Sequence, residues 1–280
     1  MVEKGKIGLA LGGGGARGLA HIGVLKVFER HGIPIDLIAG TSMGGLVGAL
    51  YASGVKPEDM EKEMVRRGRV TEWVKLVDFT ISTRGIVKGA RIYDHLAMLL
   101  GKDLTFDDLR LPLSVVSTDL RSGREVVLQQ GKIVDAVRAT ISIPLVFLPV
   151  ERDGMKLVDG GVVNNVPVSV ARQMGAQKVI AVDVLPAFSQ NQPGEALVVQ
   201  PLKTPGVPRP VRDTWHVILV MISELTTMRL REDRPEFILR PSLPTNTDVL
   251  VGFDRPVDII RLGEECAEAA LPELSEVLGG

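Results

Sequence analysis

Short apolar runs alternate with segments of helical periodicity along most of the chain. The runs that predict strands are residues 7–11, 37–39, 113–118, 125–128, 147–150, 156–158 and 179–184. The segments that predict helices are residues 19–30, 44–52, 93–100, 134–140 and 168–174, together with a helix that begins at Pro57. Strands and helices that alternate in this way predict an α/β fold with a largely parallel sheet.

Turn-forming residues divide some of these segments. The triplets at 122–124 and 152–154 each lie between two predicted strands and therefore predict hairpins. Over residues 186–210 the composition shifts to proline, glutamine and glycine, which predicts a surface loop or a partly disordered segment. A lid is one use for such a loop.

The C-terminal part of the chain predicts two more helices. Apolar residues repeat at helical spacing over 215–225, which favours a core helix over a membrane anchor. Residues 257–278 predict a last helix that breaks at Pro272. We expect a single domain over residues 1–280, divided into a core at 6–184, a flexible loop at 186–210 and a C-terminal helical extension at 211–280.

Composition narrows the classes of function. Hydrophobic residues make up 45% of the chain and charged residues 24%, as in ordinary globular proteins. The formal net charge of −1 gives no reason to expect a nucleic-acid partner. The single cysteine, Cys266, excludes a disulfide framework within the chain and a cysteine-rich zinc site.

The sequence also indicates where in the cell the protein is expected. Its apolar runs are far shorter than the roughly 18 residues of a membrane-spanning helix, and the start of the chain lacks the pattern of a secretory signal. We expect a cytoplasmic protein, with peripheral contact to a membrane left open. The basic stretch at 65–69 is a candidate patch for such contact, although a solvated helix end is the favoured interpretation.

Glycine is the outlier in the composition, since 14 of the 30 glycines lie within residues 1–54. Residues 12–18, with the sequence GGGGARG, lie between the first predicted strand and the first predicted helix. Glycines let backbone N–H groups approach a ligand, and the start of a helix adds a positive dipole end. The loop therefore predicts an anion site, for either a phosphate or a reaction oxyanion, with a structural turn as the alternative.

Two phosphate-binding motifs fit this loop poorly. Gly13, Gly15 and Gly18 satisfy the G-x-G-x-x-G pattern of dinucleotide folds, but that pattern alone is weak. The acidic residue expected at the end of the second strand is missing, because Asp36 precedes that strand. A Walker loop is excluded, since no Gly-Lys-Ser/Thr follows the glycines.

A second glycine-flanked motif, GTSMG at 40–44, lies at the next strand-to-helix junction. A nucleophile elbow needs a serine on a sharp turn with small residues on both sides, and Gly40 and Gly44 supply those for Ser42. The alternative is a serine that only caps the helix. Because consecutive parallel strands tend to be neighbours, we expect the glycine loop beside Ser42, where it can serve as an oxyanion hole.

The base that would activate this serine is less obvious. Only His95 and His216 follow Ser42 in the order that α/β-hydrolases use, and a structural role is favoured for both. His95 is expected at an exposed helix start. Asp159, which ends a predicted strand and precedes two glycines, can instead accept a serine proton directly, with a turn-capping aspartate as the alternative.

These motifs, in this order, resemble those of the patatin-like phospholipases, particularly the bacterial members related to the neuropathy target esterase group. The matching sequences are GGGARG at 13–18, GTSMG at 40–44 and DGG at 159–161, with further matches at 117–120, 138–140 and Pro144. The resemblance covers about residues 6–184 and is loose after 186. It implies a three-layer α/β/α fold with a mostly parallel central sheet.

The resemblance also implies roles for individual residues. Ser42 is the implied nucleophile and Asp159 its partner in a Ser-Asp dyad. The implied oxyanion loop and elbow comprise Gly13, Gly14, Gly15, Arg17, Gly18, Gly40 and Gly44. Arg17 either stabilises an anionic substrate or braces the start of the helix. Thr140 stands where the family usually has serine, and we expect that difference to affect local packing only.

The substrate implied by the resemblance is a lipid acyl ester, as for a phospholipase A or a lysophospholipase. A carboxylesterase or thioesterase that acts on other acyl groups would use the same residues. A nucleotide-binding or interaction module, in which Ser42 is only a helix cap, is the alternative outside the enzymes. No metal or organic cofactor is expected, because the dyad needs none and the sequence shows neither zinc nor EF-hand spacing. The oligomeric state is not predicted.

Overall fold

The computed structural model describes residues 5–67, 79–82, 85–87, 90–186, 209–244, 247 and 252–279. The strands are β1 (Ile7–Leu11), β2 (Leu37–Thr41), β3 (Phe79–Ser82), β4 (Gly85–Val87), β5 (Leu113–Asp119), β6 (Arg124–Leu128), β7 (Val150–Arg152), β8 (Met155–Asp159), β9 (Lys178–Val182) and β10 (Phe237–Leu239). The helices are α1 (Ala20–His31), α2 (Met43–Ala52), α3 (Pro57–Arg67), α4 (Ala90–Leu100), α5 (Ile133–Thr140), α6 (Val168–Gln173), α7 (Arg209–Asp233) and α8 (Pro256–Gly279). Every predicted strand and helix has a counterpart among these elements.

The central sheet has eight strands and is mixed. Its order is β10-β9-β1-β2-β5-β8-β7, and β6 pairs with β5. The pairs from β10 to β5 are parallel, whereas β8, β7 and β6 join in antiparallel orientation. Strands β3 and β4 form a separate hairpin. The predicted α/β fold with a mostly parallel central sheet is confirmed.

The two faces of this sheet are covered by different helices. Successive residues of the central strands alternate between two apolar clusters: Leu9, Ile38 and Ile180 belong to one, and Ala10 and Ala39 to the other. The first cluster contains apolar side chains of α1, α2, α3, α4, α5 and α8, and the second contains side chains of α6 and Leu230 of α7. Side chains alternate between the two faces of the sheet, and helices pack on both faces, so the fold has three layers.

The register on β5 brings the ends of two strands together. Val116 pairs with Thr41 of β2, and the next residue, Ser117, pairs with Asp159 of β8. Both Val116 and Ser117 also pair with β6, which therefore occupies the other edge of β5. Strands β2 and β8 consequently lie on the same edge of β5, with their carboxyl ends facing each other. Residues that follow these two ends meet in the middle of the sheet.

Helix α8 packs closely against α1 through glycines. A Cβ atom at Gly23 would lie 2.0 Å from the carbonyl oxygen of Ile260, and one at Gly263 would lie 2.1 Å from that of Ala20. Lys26 of α1 adds ion pairs to Glu61 of α3, at 2.7 Å, and to Glu264 of α8. These contacts join the C-terminal helix to the helical layer on that face of the sheet.

Strands β3 and β4 were not predicted, and three further details differ from the sequence expectations. The second hairpin turns over two residues, because Asp153 and Gly154 have the positive φ angles, 50° and 76°, that a type I′ turn needs. Strands β7 and β8 therefore extend to Arg152 and Met155. Helix α8 continues through Pro272 instead of breaking there. The C-terminal segment also contributes β10, which was not predicted; residues 187–208 of the predicted loop lie outside the described residues.

Candidate active site

Ser42 lies on the turn between β2 and α2, in a strained conformation. Its backbone has φ 53° and ψ −124°, a combination that non-glycine residues rarely adopt. Its side chain makes no capping hydrogen bond to the helix that follows. Ser42 is strained and does not cap the helix with its side chain. Both observations favour the nucleophile elbow over the helix cap.

The flanking glycines of this turn are required by close backbone contacts. A Cβ atom at Gly40 would lie 2.6 Å from the carbonyl oxygen of Gly44. One at Gly44 would lie 2.2 Å from the carbonyl oxygen of Leu11 in the neighbouring strand. Any side chain at either position would force the turn away from β1, so both glycines are needed for Ser42 to stay at the end of the sheet.

Asp159 ends β8 and faces Ser42 across the meeting point of the two strands. Its carboxylate is close enough to the Ser42 side chain for the two to interact, and its Oδ1 accepts a 2.8 Å hydrogen bond from the N–H of Gly161. Ser42 is 6% exposed and Asp159 is 7% exposed. This burial raises the pKa of Asp159 to about 6, although the interactions with Ser42 and Gly161 act to lower it.

Thr140 holds the backbone of Ser42 through a hydrogen bond, a role that was not predicted from the sequence. The N–H of Ser42 donates a 2.7 Å hydrogen bond to Thr140 Oγ1, and that hydroxyl donates to the carbonyl oxygen of Val116. Thr140 thus has a role beyond packing, although the difference between threonine and serine at this position does not remove it. Its hydroxyl is the group that serine and threonine share, so the departure from the family pattern keeps this contact.

The glycine loop reaches Ser42, but its residues are not equivalent. The N–H of Gly13 donates to the carbonyl oxygen of Asn165 at 3.1 Å, while Asn165 Nδ2 donates to the carbonyl oxygen of Gly13 at 3.2 Å. Gly13 is thus held by Asn165 and does not offer its N–H to a ligand. Gly14 and Gly15 line the cleft beside Ser42, where their N–H groups suit an oxyanion.

Two other residues predicted for the loop have packing or bracing contacts. A Cβ atom at Gly18 would lie 2.6 Å from Cβ of Met43, so this glycine allows the loop to pack against α2. The Arg17 guanidinium donates to the carbonyl oxygens of Val184, at 2.5 Å, and Pro244, at 3.1 Å. These contacts favour the bracing interpretation of Arg17, because they tie the loop to the chain after β9.

Two residues next to the loop were not singled out as functional from the sequence. The sequence analysis gave no role to His21, which is fully buried, and its Nε2–H donates to the carbonyl oxygen of Gly12 at 2.7 Å. Burial lowers the pKa of His21 to about 4, so the ring is neutral at physiological pH. Asn165, for which no functional role was predicted either, pairs with Gly13. The only feature of the sequence that could have indicated either residue is that each closely follows a glycine motif.

The histidines that follow Ser42 do not take part in this arrangement. Contrary to the expected exposed helix start, His95 is 6% exposed and lies inside α4, which begins at Ala90. Neither His95 nor His216 lines the cleft at Ser42. Asp159 is the titratable side chain that the structure brings to this serine.

The cleft above Ser42 is small, with a volume of about 30 Å³, and is largely apolar. Its polar lining comprises the serine, Asp159, Asn165 and the backbone of the glycines. Its apolar lining includes Ile143, Val162 and Trp215 of α7. Among the described residues, no lysine, arginine or histidine lines it.

Other candidate sites are weaker in the described part of the chain. No three metal-ligating side chains cluster there, and none of the helices described there is long and apolar enough to cross a membrane. In the candidate basic patch, Arg66 pairs with Glu63 on the same helix. Residues 68 and 69 of that patch lie outside the described residues.

Comparison with known proteins identifies the family. The family model for patatin-like phospholipases matches residues 9–172, which is more than half of the chain and contains all three glycine motifs. The chain therefore belongs to the patatin-like phospholipases, a family of lipid hydrolases.

Individual relatives are consistent with the neuropathy target esterase group. Patatin-like phospholipase domain-containing protein 6 of Homo sapiens is 38% identical over 188 residues, which are 64% of this chain and 13% of that protein. An uncharacterised NTE family protein of Mycobacterium tuberculosis is 38% identical over 181 residues, 64% of this chain and 49% of the relative. This chain thus spans half or less of the relatives' length.

One solved structure supports the fold assignment. The crystal structure of VipD from Legionella pneumophila superposes with a TM-score of 0.51 and covers 96% of this chain and 67% of VipD. The two sequences are 13% identical, so the similarity concerns the fold alone.

Proposed function

We propose that this protein is a serine acyl hydrolase that cleaves carboxylic ester bonds of lipids, with Ser42 as nucleophile and Asp159 as general base. The observation that carries the proposal is that the strained Ser42 and the buried Asp159 line the same cleft, where the Ser42 side chain acts on the Asp159 carboxylate. A serine that only capped α2 would not need such a conformation or such a partner.

The proposed reaction has two halves. Asp159 accepts the Ser42 Oγ proton while Oγ attacks the ester carbonyl, and the N–H groups of Gly14 and Gly15 stabilise the oxyanion. The intermediate collapses to an acyl-serine, and Asp159 returns the proton to the departing alcohol. Water then attacks the acyl-serine with Asp159 again as base, which releases the carboxylic acid and restores Ser42.

The raised pKa of Asp159 supports its role as base. An aspartate at its ordinary value of 3.8 is a weak base, whereas burial raises the pKa of this one to about 6. A base is most effective when its pKa lies near the working pH, so the shift favours proton transfer while the carboxylate stays ionised at neutral pH. Loss of an oxyanion-hole donor typically costs about 10²–10³ in rate, so the glycine loop carries a large share of the acceleration.

The apolar cleft and the family support a lipid substrate. Apolar walls next to Ser42 suit the acyl chain of an ester, and the absence of lining cations in the described residues disfavours a nucleotide phosphate. Phospholipase A and lysophospholipase activity fit this cleft. Because such substrates reside in membranes, a cytoplasmic protein in peripheral contact with the membrane surface belongs to the same proposal.

Ester hydrolysis by single variants tests the assignment. We expect Ser42→Ala and Asp159→Asn to abolish release of fatty acid from phosphatidylcholine and lysophosphatidylcholine in mixed micelles, and His216→Ala to retain it. For the wild type, kcat/KM should rise as the pH increases through about 6 and then level off, because only the ionised Asp159 is a base. Activity that survives in Asp159→Asn but not in His216→Ala would refute the dyad.

A further inference from the structure

Helix α7 places three apolar side chains in the cleft. Trp215, Leu219 and Ile222 all line it, and their spacing of four and three residues puts them on one face of the helix. This helix lies outside residues 9–172, the segment that matches the family model. Part of the apolar lining of the cleft therefore comes from a segment of the chain that the family match does not describe.

Leu219 of α7 packs against Ile143, which also lines the cleft. Leu219 is 7% exposed and, with Ile143, forms the centre of a small apolar cluster separate from the two main cores. Trp215 and Phe147 pack against this cluster. The Ser223 hydroxyl also donates a 2.9 Å hydrogen bond to the carbonyl oxygen of Pro186, which ties α7 to the segment after β9. Leu219 thus has a fixed position in the wall.

The cleft is lined by both polar and apolar side chains. Ser42, Asp159 and Asn165 are the polar ones, and the α7 side chains belong to the apolar remainder. An ester bound with its carbonyl at Ser42 must extend one of its two substituents along α7. The apolar character of that wall suits an uncharged hydrocarbon chain and disfavours a charged head group.

We infer that α7 forms the wall of an acyl-chain pocket, and that Leu219 limits the length of the acyl group this enzyme hydrolyses. The inference rests on the proposed function and specifies its substrate. Burying one more methylene in such a pocket raises kcat/KM by about fourfold, which corresponds to about 0.8 kcal/mol, until the chain reaches the end of the pocket. A smaller side chain at 219 moves that end further from Ser42, and a larger one moves it closer.

The test compares esters of one alcohol that differ in acyl length. The ratio of kcat/KM for 4-nitrophenyl octanoate to that for 4-nitrophenyl butyrate is measured for each protein. We expect Leu219→Ala to raise this ratio about tenfold and Leu219→Phe to lower it by a similar factor. Because both esters are measured on the same preparation, a loss of folded protein cancels from the ratio.

The outer face of the same helix supplies the control. Met221 is 66% exposed and does not line the cleft, so Met221→Ala should leave the ratio unchanged. An unchanged ratio in both Leu219 variants, or an equal shift in Met221→Ala, would overturn the acyl-pocket assignment while leaving the hydrolase proposal intact. A wild-type protein that hydrolyses none of the esters would contradict the proposed function and this inference together.

Discussion

The Asp159 carboxylate is buried, and burial makes its charged form unfavourable. Its folded environment raises its pKa to about 6 from 3.8, mainly by removing water from around it. A group with a raised folded pKa stabilises the native state below its unfolded pKa and loses that contribution as the pH rises through the folded value. The same burial that makes Asp159 a better base therefore makes the protein less stable at neutral pH.

Replacing Asp159 by asparagine separates these two effects. We expect Asp159→Asn to be inactive yet to unfold at a higher temperature than the wild type at pH 8, with the difference shrinking towards pH 4. Thermal unfolding followed by circular dichroism at several pH values measures this. Asp153→Asn, at an exposed hairpin turn, serves as the control and should show no such trend. If the difference in unfolding temperature between the wild type and Asp159→Asn is the same at pH 4 and pH 8, the buried carboxylate does not destabilise the protein at neutral pH.

Thr140 offers a second test at the residue scale. Its hydroxyl accepts from the N–H of Ser42, so Thr140→Ser should retain both activity and stability. Thr140→Val keeps the shape but leaves that buried N–H without an acceptor, which typically costs about 1–3 kcal/mol. We expect a matching fall in the free energy of unfolding, measured with urea, and at least a tenfold fall in kcat. Equal behaviour of the two variants would mean that the hydroxyl does not hold the turn.

At the scale of elements, the contact between α1 and α8 depends on glycine. A Cβ atom at Gly263 would meet backbone atoms of Ala20, which cannot move aside as a side chain can. We expect Gly263→Ala to destabilise the protein by about 1–3 kcal/mol through overpacking. Gly279→Ala, in the same helix but with no atom within 4 Å of the added Cβ, should be neutral. Denaturant unfolding of both variants makes the comparison, and equal stability would contradict the close contact.

The elements themselves were largely predictable because their signals are local. Strand β1 was predicted at its observed bounds, since an apolar run followed by glycines identifies it from sequence. Strand β10 has three residues and is a strand only because it pairs with β9. The continuation of α8 through Pro272 likewise depends on packing: Ala267 and Leu274, on either side of it, are both fully buried. Local propensity does not contain such tertiary contributions.

At the scale of the whole molecule, the site exists because β2 and β8 end against each other on one edge of β5. The three glycine motifs are visible in the sequence, and the family resemblance implies the Ser42–Asp159 pair. The register that joins Thr41 and Asp159 to adjacent residues of β5 is a property of the assembled sheet. For the same reason the contacts of Thr140, Asn165 and His21 with the motifs could not be predicted: each joins segments that only the fold brings together.

The most direct measurement is covalent labelling of the native protein with a fluorophosphonate, followed by mass mapping of the adduct. We expect one adduct, on Ser42, that is lost in Asp159→Asn and after denaturation in urea, because the reactivity of this serine depends on the assembled dyad. No adduct on the native protein, or an adduct on another serine with Ser42 unmodified, would contradict the assignment of Ser42 as the nucleophile.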